Sequence, residues 1–305
     1  MNTVVAQSVK QGLFTIGHYR RTLRRARFPG VAVLGYHGLR GDDWPAGSVP
    51  FEDLHVHRPA FEAHCRFIRE TCDPISLDDW RAAIHGGAPL PPRPVLLTFD
   101  DGYRSVFTMA RPVLRKYALP AAVFVCSDPT ARRRLLWFDY VGARDGEGAV
   151  EKWKTADYNS WRAACADAAP AVADDDPRAV MSPSDLAELA AQPGIEIGAH
   201  TARHPILMRA RADCQRDEIV ESRDQIASWI GRPVRAFAYP NGRPGLDYSA
   251  ETTRILADLG FDLAFTMQPA FATAREAPLE RSRFLIVADV SAAELAHRLS
   301  IGWPR

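Results

Sequence analysis

Short apolar runs rich in Val, Ile, Leu and Phe recur along the chain, and longer stretches with helical spacing of apolar positions separate them. This alternation is typical of strands and helices in a parallel sheet. We predict seven strands: Val31 to Tyr36, Val95 to Asp100, Ala121 to Cys126, Ile195 to His200, Arg235 to Tyr239, Leu263 to Thr266 and Phe284 to Val287. The predicted helices cover residues 59–72, 78–85, 104–117, 184–191, 212–230, 251–259 and 291–299. A closed or nearly closed barrel explains this repeat better than an open sheet does.

Two segments interrupt the pattern and define the predicted organisation. Residues 1–30 form a basic N-terminal helical segment, and residues 31–305 form the barrel. Residues from about 130 to 180 break the rhythm with many aromatic residues, which predicts an inserted helical subdomain or a flap over the barrel mouth. Trp137 in this insertion is a packing residue or, alternatively, a surface on which a sugar stacks.

The overall charge gives no reason to expect a nucleic acid partner. Lys and Arg number 38 against 37 Asp and Glu, and the 47% hydrophobic content is that of an ordinary globular protein. Residues 18–27, however, are strongly basic. They indicate a solvated helix packed on the domain or, alternatively, a peripheral contact with anionic lipid.

Targeting and redox features favour a cytoplasmic location. No stretch has the 18 or so apolar residues that a membrane span requires, and the first thirty residues lack the features of a signal peptide. The five cysteines are odd in number and scattered, which suits a reducing compartment. We therefore expect a cytoplasmic protein. A cytoplasmic protein that also contacts the inner face of the membrane is the alternative.

Polar side chains stand where several predicted strands end. His37, Asp100 with Asp101, His200 and Tyr239 each terminate or directly follow an apolar run. The C-terminal ends of barrel strands form the active-site face, so groups distant in sequence can meet there. We expect these side chains to share one site.

The paired carboxylates Asp100 and Asp101 precede Gly102, which allows a tight turn. Adjacent carboxylates repel each other unless they share a cation or a proton. One of them can therefore bind a metal while the other takes a proton from water. The alternative is a helix cap, since Asp favours helix N-termini and a helix is predicted next.

Two histidines, His200 and His204, lie four residues apart just beyond a strand. Such a pair can present two nitrogens to one ion, and Asp101 would complete a site of two histidines and one carboxylate. The sequence thus predicts one divalent metal ion. Zinc fits these ligands best, and cobalt, nickel or another divalent ion is the alternative.

A third group of residues, 235–242, begins with Arg235 and reaches Tyr239 before a turn-forming Pro-Asn-Gly. The Arg235 guanidinium could orient Asp100, and a backbone N–H at the strand end could stabilise an oxyanion. The same residues also make sense simply as a strand and a turn.

Together these three blocks resemble the NodB-type polysaccharide deacetylases, carbohydrate esterase family 4, over roughly residues 31–287. The resemblance implies a distorted (β/α)7 barrel in which Asp100 is the general base and Asp101, His200 and His204 hold the metal. It further implies that Arg235 tethers the base and that the backbone of Tyr239 helps to bind the oxyanion. The implied reaction is hydrolysis of an N-acetyl, less often an O-acetyl, group on a sugar.

The general acid departs from the usual pattern of this family. The family's later Leu-x-x-His motif is absent, since Leu295-Ala296-His297 has the wrong spacing and falls in the last predicted helix. Some relatives carry the acid histidine on the first strand in a Tyr-His pair, which here is Tyr36-His37. We therefore expect His37 to protonate the leaving amine, with a strand-capping histidine as the alternative.

The sequence analysis thus predicts a metal-dependent hydrolase that removes an N-acetyl or other acyl group from an amino sugar of a polysaccharide, a glycolipid or a precursor. Two alternatives are a deformylase on a lipid-linked aminosugar and a catalytically inactive barrel that binds glycan. The expected partner is an acylated aminosugar substrate, polymeric, lipid-linked or nucleotide-linked. Activity on any acylated aminosugar would exclude the inactive barrel.

Overall fold

The structure, a computed structural model, describes residues 3–45, 47–87 and 89–302. The first two residues of the basic N-terminal segment therefore lie outside the described residues. The strands are β1 Ala32–Tyr36, β2 Leu39–Arg40, β3 Val56–His57, β4 Asp73–Pro74, β5 Pro94–Phe99, β6 Ala121–Val125, β7 Ile195–Ala199, β8 Ala236–Ala238, β9 Leu263–Phe265 and β10 Phe284–Leu285. All seven strands expected from the sequence are present.

The described helices follow the strands in the expected order. They are α1 Thr3–Thr15, α2 His18–Arg24, α3 Arg58–Thr71, α4 Leu77–His85, α5 Arg111–Tyr117, α6 Ser127–Arg132, α7 Trp137–Asp145, α8 Glu147–Trp153, α9 Tyr158–Trp161, α10 Pro183–Ala190, α11 Ala212–Ile230, α12 Ala250–Asp258 and α13 Ala292–Ile301. The expected helix 104–117 instead begins with a π-helical turn, Val106–Ala110, which continues into α5. None of the described helices is long and apolar enough to cross a membrane.

The main sheet is parallel and curls into a distorted barrel. Its strand order is β10-β1-β5-β6-β7-β8-β9, and β4 adds to the start of β5. The segment before β10 approaches β9, because Arg281 donates its N–H to Ala264 O and accepts from Thr266 N–H. The expectation of a distorted (β/α)7 barrel is confirmed.

Alternating residues of each strand build two apolar layers. Leu96 on β5, Phe124 on β6 and Phe265 on β9 pack inside the barrel. Their neighbours Leu97 and Val123 point outward, under the surrounding helices. Buried on both sides, the strands read as continuous apolar runs, and this makes them recognisable in the sequence.

The residues from α7 to α9 form a helical unit on the cleft end of the barrel. Their apolar residues make a separate cluster that includes Trp137, Phe138, Val150 and Trp161. The N-terminal helices α1 and α2 pack on α13, where Tyr19 Oη lies 3.3 Å from His297 Nδ1. His297 is thus in the last helix, as expected, and outside the cleft described below.

Candidate metal centre and active-site cleft

The polar residues that follow three of the parallel strands meet at one end of the barrel. His37 follows β1, Asp100 and Asp101 follow β5, and His200 follows β7. They line one cleft of about 490 Å³, together with His204. The structure therefore brings together side chains that are more than 160 residues apart in the sequence.

Asp101, His200 and His204 form a compact and buried group at the bottom of this cleft. Asp101 Oδ1 is 3.4 Å from His200 Nε2 and 3.4 Å from His204 Nε2, and the three potential ligand atoms lie within 4.8 Å of one another. Asp101 Oδ1 is buried and has no hydrogen-bond partner among the described residues. An unsatisfied carboxylate oxygen facing two imidazole nitrogens is the arrangement that a divalent metal ion satisfies, so the three residues fit such an ion.

The backbone carries strain at this group. Asp101, Thr201 and His204 all have left-handed conformations, with φ of 70°, 65° and 62°. Each such residue costs on the order of 1–3 kcal/mol, and this strain persists only where the surroundings impose it. Thr201 Oγ1 accepts the His204 N–H at 3.0 Å and so holds the turn that aims the second imidazole.

Hydrogen bonds at the back of the histidines fix which nitrogen faces the site. His200 Nδ1 lies 2.6 Å from the Ala238 carbonyl oxygen, which leaves Nε2 directed at Asp101. Such partners fix the tautomer and orientation of metal-binding histidines. Burial lowers the pKa of His204 to about 3, against the opposing effect of the Asp101 charge, so this imidazole is neutral and able to act as a ligand.

Asp100 is separate from this group and is held by a buried arginine. Arg283 Nη1 and Nη2 donate to Asp100 Oδ1 and Oδ2 at 2.7 and 2.8 Å, and the arginine side chain is fully buried. Burial acts to raise the pKa of Asp100, but the charge of Arg283 and that of His200 outweigh it, and the pKa lies below the usual value. Asp100 is therefore ionised at neutral pH, as a proton acceptor must be.

The inserted helices buttress the loops that carry these residues. Trp137 Nε1 donates to the His204 carbonyl oxygen at 2.9 Å, and Tyr103 Oη donates to Asp139 at 2.8 Å. Burial raises the pKa of Asp139 to about 8, although the hydrogen bond from Tyr103 opposes this shift. The insertion is thus tied to both sequence blocks that supply the metal-binding residues.

The walls of the cleft are largely apolar and its rim is charged. Phe51, Leu54, Phe138 and Val150 line one side, and Met267, Pro269 and Leu285 line another. Glu151, Lys154 and Arg243 are the charged residues of the lining outside the metal-binding group and Asp100. Phe51 has a left-handed φ of 53°, and its N–H donates to Glu147 Oε1 at 2.9 Å. An aromatic side chain is thus held in an unfavourable backbone conformation beside the candidate metal centre.

A family model described as Polysaccharide deacetylase matches residues 87–264, more than half of the chain. The chain belongs to the polysaccharide deacetylase family. The match includes Asp100, Asp101, His200 and His204, and it confirms the family that the sequence motifs indicated.

Other comparisons agree with this family. The chain is 39% identical over 93 residues to the poly-beta-1,6-N-acetyl-D-glucosamine N-deacetylase of Escherichia coli K12; the match spans 30% of this chain but only 13% of the relative. The fold matches the Streptococcus pyogenes deacetylase PplD in complex with acetate, with a TM-score of 0.65 and 21% identity over 89% of this chain and 99% of that one. It also matches IcaB from Ammonifex degensii, with a TM-score of 0.64 and 21% identity over 90% and 99%.

In this chain Arg235 does not tether the base, and that expectation was wrong. Arg235 precedes β8 and therefore lies at the opposite end of the parallel strand from the cleft. Its side chain is half exposed, with Nε 3.7 Å from Asp262 Oδ2. Arg283, which precedes β10, binds Asp100 instead. The sequence offered no clear signal for this, because both arginines begin an apolar strand.

The expected role of Tyr239 also requires correction. Its backbone N–H donates to the Phe265 carbonyl oxygen at 3.1 Å within the sheet, so that N–H is not available to an oxyanion. Its hydroxyl donates to Leu279 O, and its ring stacks on Tyr248 at 3.8 Å. Asn241 lines the cleft with a φ of 57°, and its backbone N–H makes no hydrogen bond to the described residues. Asn241 is therefore the better candidate donor.

The remaining two candidates also have defined positions. His37 lines the cleft, and its Nδ1 is buried without a hydrogen-bond partner in the described chain. Trp137 is only 2% exposed and packs edge-on against Phe138 and Trp161. The packing interpretation of Trp137 therefore fits, whereas Phe51, Phe138 and Tyr239 are aromatic residues that line the cleft.

Proposed function

We propose that this chain is a metal-dependent hydrolase that removes the N-acetyl group from an aminosugar of a glycan. The observation that carries the proposal is the pairing of two differently held carboxylates in one cleft. Asp101 Oδ1 faces His200 and His204 and has no hydrogen-bond partner among the described residues, whereas Asp100 is ionised and oriented by Arg283. A metal ligand beside a positioned base is the arrangement needed to activate water for amide hydrolysis.

In this proposal Asp101, His200 and His204 hold one divalent ion, which we propose to be zinc. When bound, the ion would polarise the acyl carbonyl and make water more acidic. Asp100 accepts a proton from the water molecule while the water oxygen forms a bond to the acyl carbon. Because both oxygens of Asp100 are bound by Arg283, the carboxylate does not need to reorient before it reacts.

Two further residues act on the oxygen and on the leaving nitrogen. The Asn241 N–H, which has no partner among the described residues, donates a hydrogen bond to the acyl oxygen as negative charge develops there. One such donor is worth about 2.7–4 kcal/mol. His37 gives a proton to the nitrogen as the carbon–nitrogen bond breaks. The products are the free amine and acetic acid, which loses its proton to solvent as acetate. Asp100 then gives up the proton that it accepted, and His37 regains one from solvent, which restores both residues.

A His37→Ala substitution is expected to lower kcat about a hundredfold or more, because the amine then departs without a proton donor. Turnover of acetate and metal content are measured together on the same preparation. The matched control is His57→Ala, which changes a histidine that is outside the cleft and pairs with Asp42. Near-normal turnover of the His37 variant at unchanged metal content would remove His37 from this role.

The substrate class follows from the relatives and from the cleft. The Escherichia coli relative is named for poly-beta-1,6-N-acetyl-D-glucosamine. The apolar and aromatic walls around Phe51 and Phe138 suit the apolar face of a sugar ring and the methyl group of an acetamide. We therefore propose an N-acetylglucosamine-containing glycan as the substrate.

The test is a release assay for acetate and formate over polymeric, lipid-linked and nucleotide-linked acylated aminosugars. The proposal expects acetate from an N-acetylglucosamine oligomer. Formate alone would replace it with the deformylase alternative. Failure to release either acid after addition of zinc, cobalt or nickel would favour the inactive glycan-binding barrel.

A further inference from the structure

The helix α1 has apolar side chains on two of its faces, and only one of these faces packs on the protein. Leu13 and Phe14 pack on the core, with the Phe14 ring 5.5 Å from Phe67. On another face Val5 and Val9 are each 50% exposed, and Ile16, one residue beyond the end of α1, is 62% exposed. The Ile16 N–H still donates to Gly12 O at 3.1 Å, so Ile16 continues the helical turn. Their spacing of four and seven residues places them in one stripe. These are three of the five large hydrophobic residues that are exposed in the described chain.

The segment that follows this stripe is basic and contains no acidic residues of its own, although Glu294 of α13 pairs with Lys10 and Glu70 of α3 pairs with Arg20. The sequence contains no Asp or Glu before Asp42, whereas Arg20, Arg21, Arg24, Arg25 and Arg27 fall within eight residues and are all exposed. Within the described ranges, Arg20 alone among these five arginines has an ion pair, with Glu70. The whole chain has a net charge of only +1, so positive charge is concentrated on this surface.

The apolar stripe and the arginine cluster are directly connected. Arg21 Nη2 donates to the Ile16 carbonyl oxygen at 2.8 Å, and Gly17 in a left-handed conformation joins α1 to α2. Exposed apolar side chains beside guanidinium groups are the features that bind a helix to an anionic bilayer, where the apolar side chains insert between headgroups that the cations attract.

We infer that the α1–α2 surface, defined by Val5, Val9, Ile16, Arg21, Arg24 and Arg25, is a docking site for an anionic phospholipid membrane. The charge complementarity favours this partner over a second copy of the chain, because a second copy would offer the same basic patch and no excess of acidic residues to pair with these arginines. It also favours a membrane over a nucleic acid, which would leave the apolar stripe without a function.

The docking surface extends along the flank of the barrel from the level of the cleft. Ala6 and Lys10 border a groove together with Asp289 and Ser291, which follow β10, and Leu285 of β10 lines the cleft. The arginine cluster lies near the far end, where Arg20 pairs with Glu70 close to the end of α3. With α1 on the bilayer, the cleft would open beside the membrane surface. This last consequence rests on the proposed function, whereas the membrane contact does not.

The experiment is cosedimentation of the full chain with phosphatidylcholine vesicles, with and without phosphatidylglycerol. The wild-type chain is expected to bind the anionic vesicles and to dissociate at high salt. Val9→Ser combined with Ile16→Ser, and Arg24→Glu combined with Arg25→Glu, are each expected to lower the partition coefficient about tenfold or more. The matched controls lie outside the α1–α2 surface. They are Leu246→Ser, at a leucine that is 60% exposed, and Arg211→Glu combined with Arg254→Glu. Each control should change the partition coefficient less than about twofold.

Three results would overturn the inference. They are equal binding to neutral and anionic vesicles, losses as large in the controls as in the α1–α2 variants, and absence of vesicle binding. A dimer that Val9→Ser with Ile16→Ser dissociates would then identify a second copy as the occupant of this surface. Acetate release from a soluble substrate is measured for every variant and should not change. Failure of vesicle binding is therefore distinguishable from failure of the proposed activity.

Discussion

An Asp100→Asn enzyme is expected to retain its metal and to lose turnover by about two to four orders of magnitude. The amide has nearly the shape of the carboxylate but does not accept a proton from water. Because Asp101, His200 and His204 remain unchanged, binding of zinc measured by titration calorimetry should be close to that of the wild-type chain. The turnover is measured as acetate released from an N-acetylglucosamine oligomer.

The matched comparison for this variant is Asp101→Asn, which removes a charged ligand and is expected to weaken metal binding. The two adjacent substitutions should thus separate the base from the ligand. Asp100 also neutralises the buried Arg283, so its substitution can destabilise the fold. A thermal unfolding curve for each variant therefore shows whether lost turnover results from lost structure. Normal turnover of Asp100→Asn, or loss of its metal, would contradict the assigned roles.

An Arg283→Met substitution is expected to lower the free energy of unfolding by about 3–5 kcal/mol, because it leaves the buried Asp100 carboxylate without its counter-charge. Arg283 lowers the pKa of Asp100, so the substitution should also raise that pKa and weaken the base near neutral pH. Urea unfolding measures the first effect, and the pH dependence of kcat measures the second.

The control is Arg235→Met, which breaks a half-exposed ion pair with Asp262 at the other end of the barrel. This substitution should lower the free energy of unfolding by at most about 1 kcal/mol and leave turnover unchanged. The double variant Asp100→Asn with Arg283→Met removes both buried charges and should be more stable than Arg283→Met alone. Equal destabilisation by the Arg235 and Arg283 variants would contradict the assignment of Arg283.

The main strands could be predicted from the sequence because parallel strands covered on both faces leave continuous apolar runs. Val95 to Asp100 and Ile195 to His200 were recognised in this way, and their polar ends indicated the site. The strands that were missed, Leu39–Arg40, Val56–His57 and Asp73–Pro74, have two residues each. Unlike β10, which is equally short but begins the apolar run Phe284 to Val287, these segments do not belong to a longer apolar run that could be detected.

The arginine that binds Asp100 could not be predicted from the sequence. An arginine side chain is long enough to reach Asp100 from more than one strand, so the order of the strands does not identify it. Arg235 and Arg283 both precede apolar strands, and only the three-dimensional structure shows that Arg283 crosses the interior to Asp100. The backbone N–H that is available to the acyl oxygen could not be predicted from the sequence either. Tyr239 ends a strand, but its N–H is already bonded to Phe265 in the sheet, which leaves Asn241 as the available donor.

The most direct test of metal-dependent deacetylation is acetate release by the purified chain before chelation, after chelation and after addition of one equivalent of zinc, cobalt or nickel. We predict about one bound metal per chain, loss of acetate release when it is removed, and recovery when it is restored. A His204→Ala variant treated in the same way should neither bind the metal tightly nor recover. Acetate release that continues unchanged with no metal bound would contradict the account.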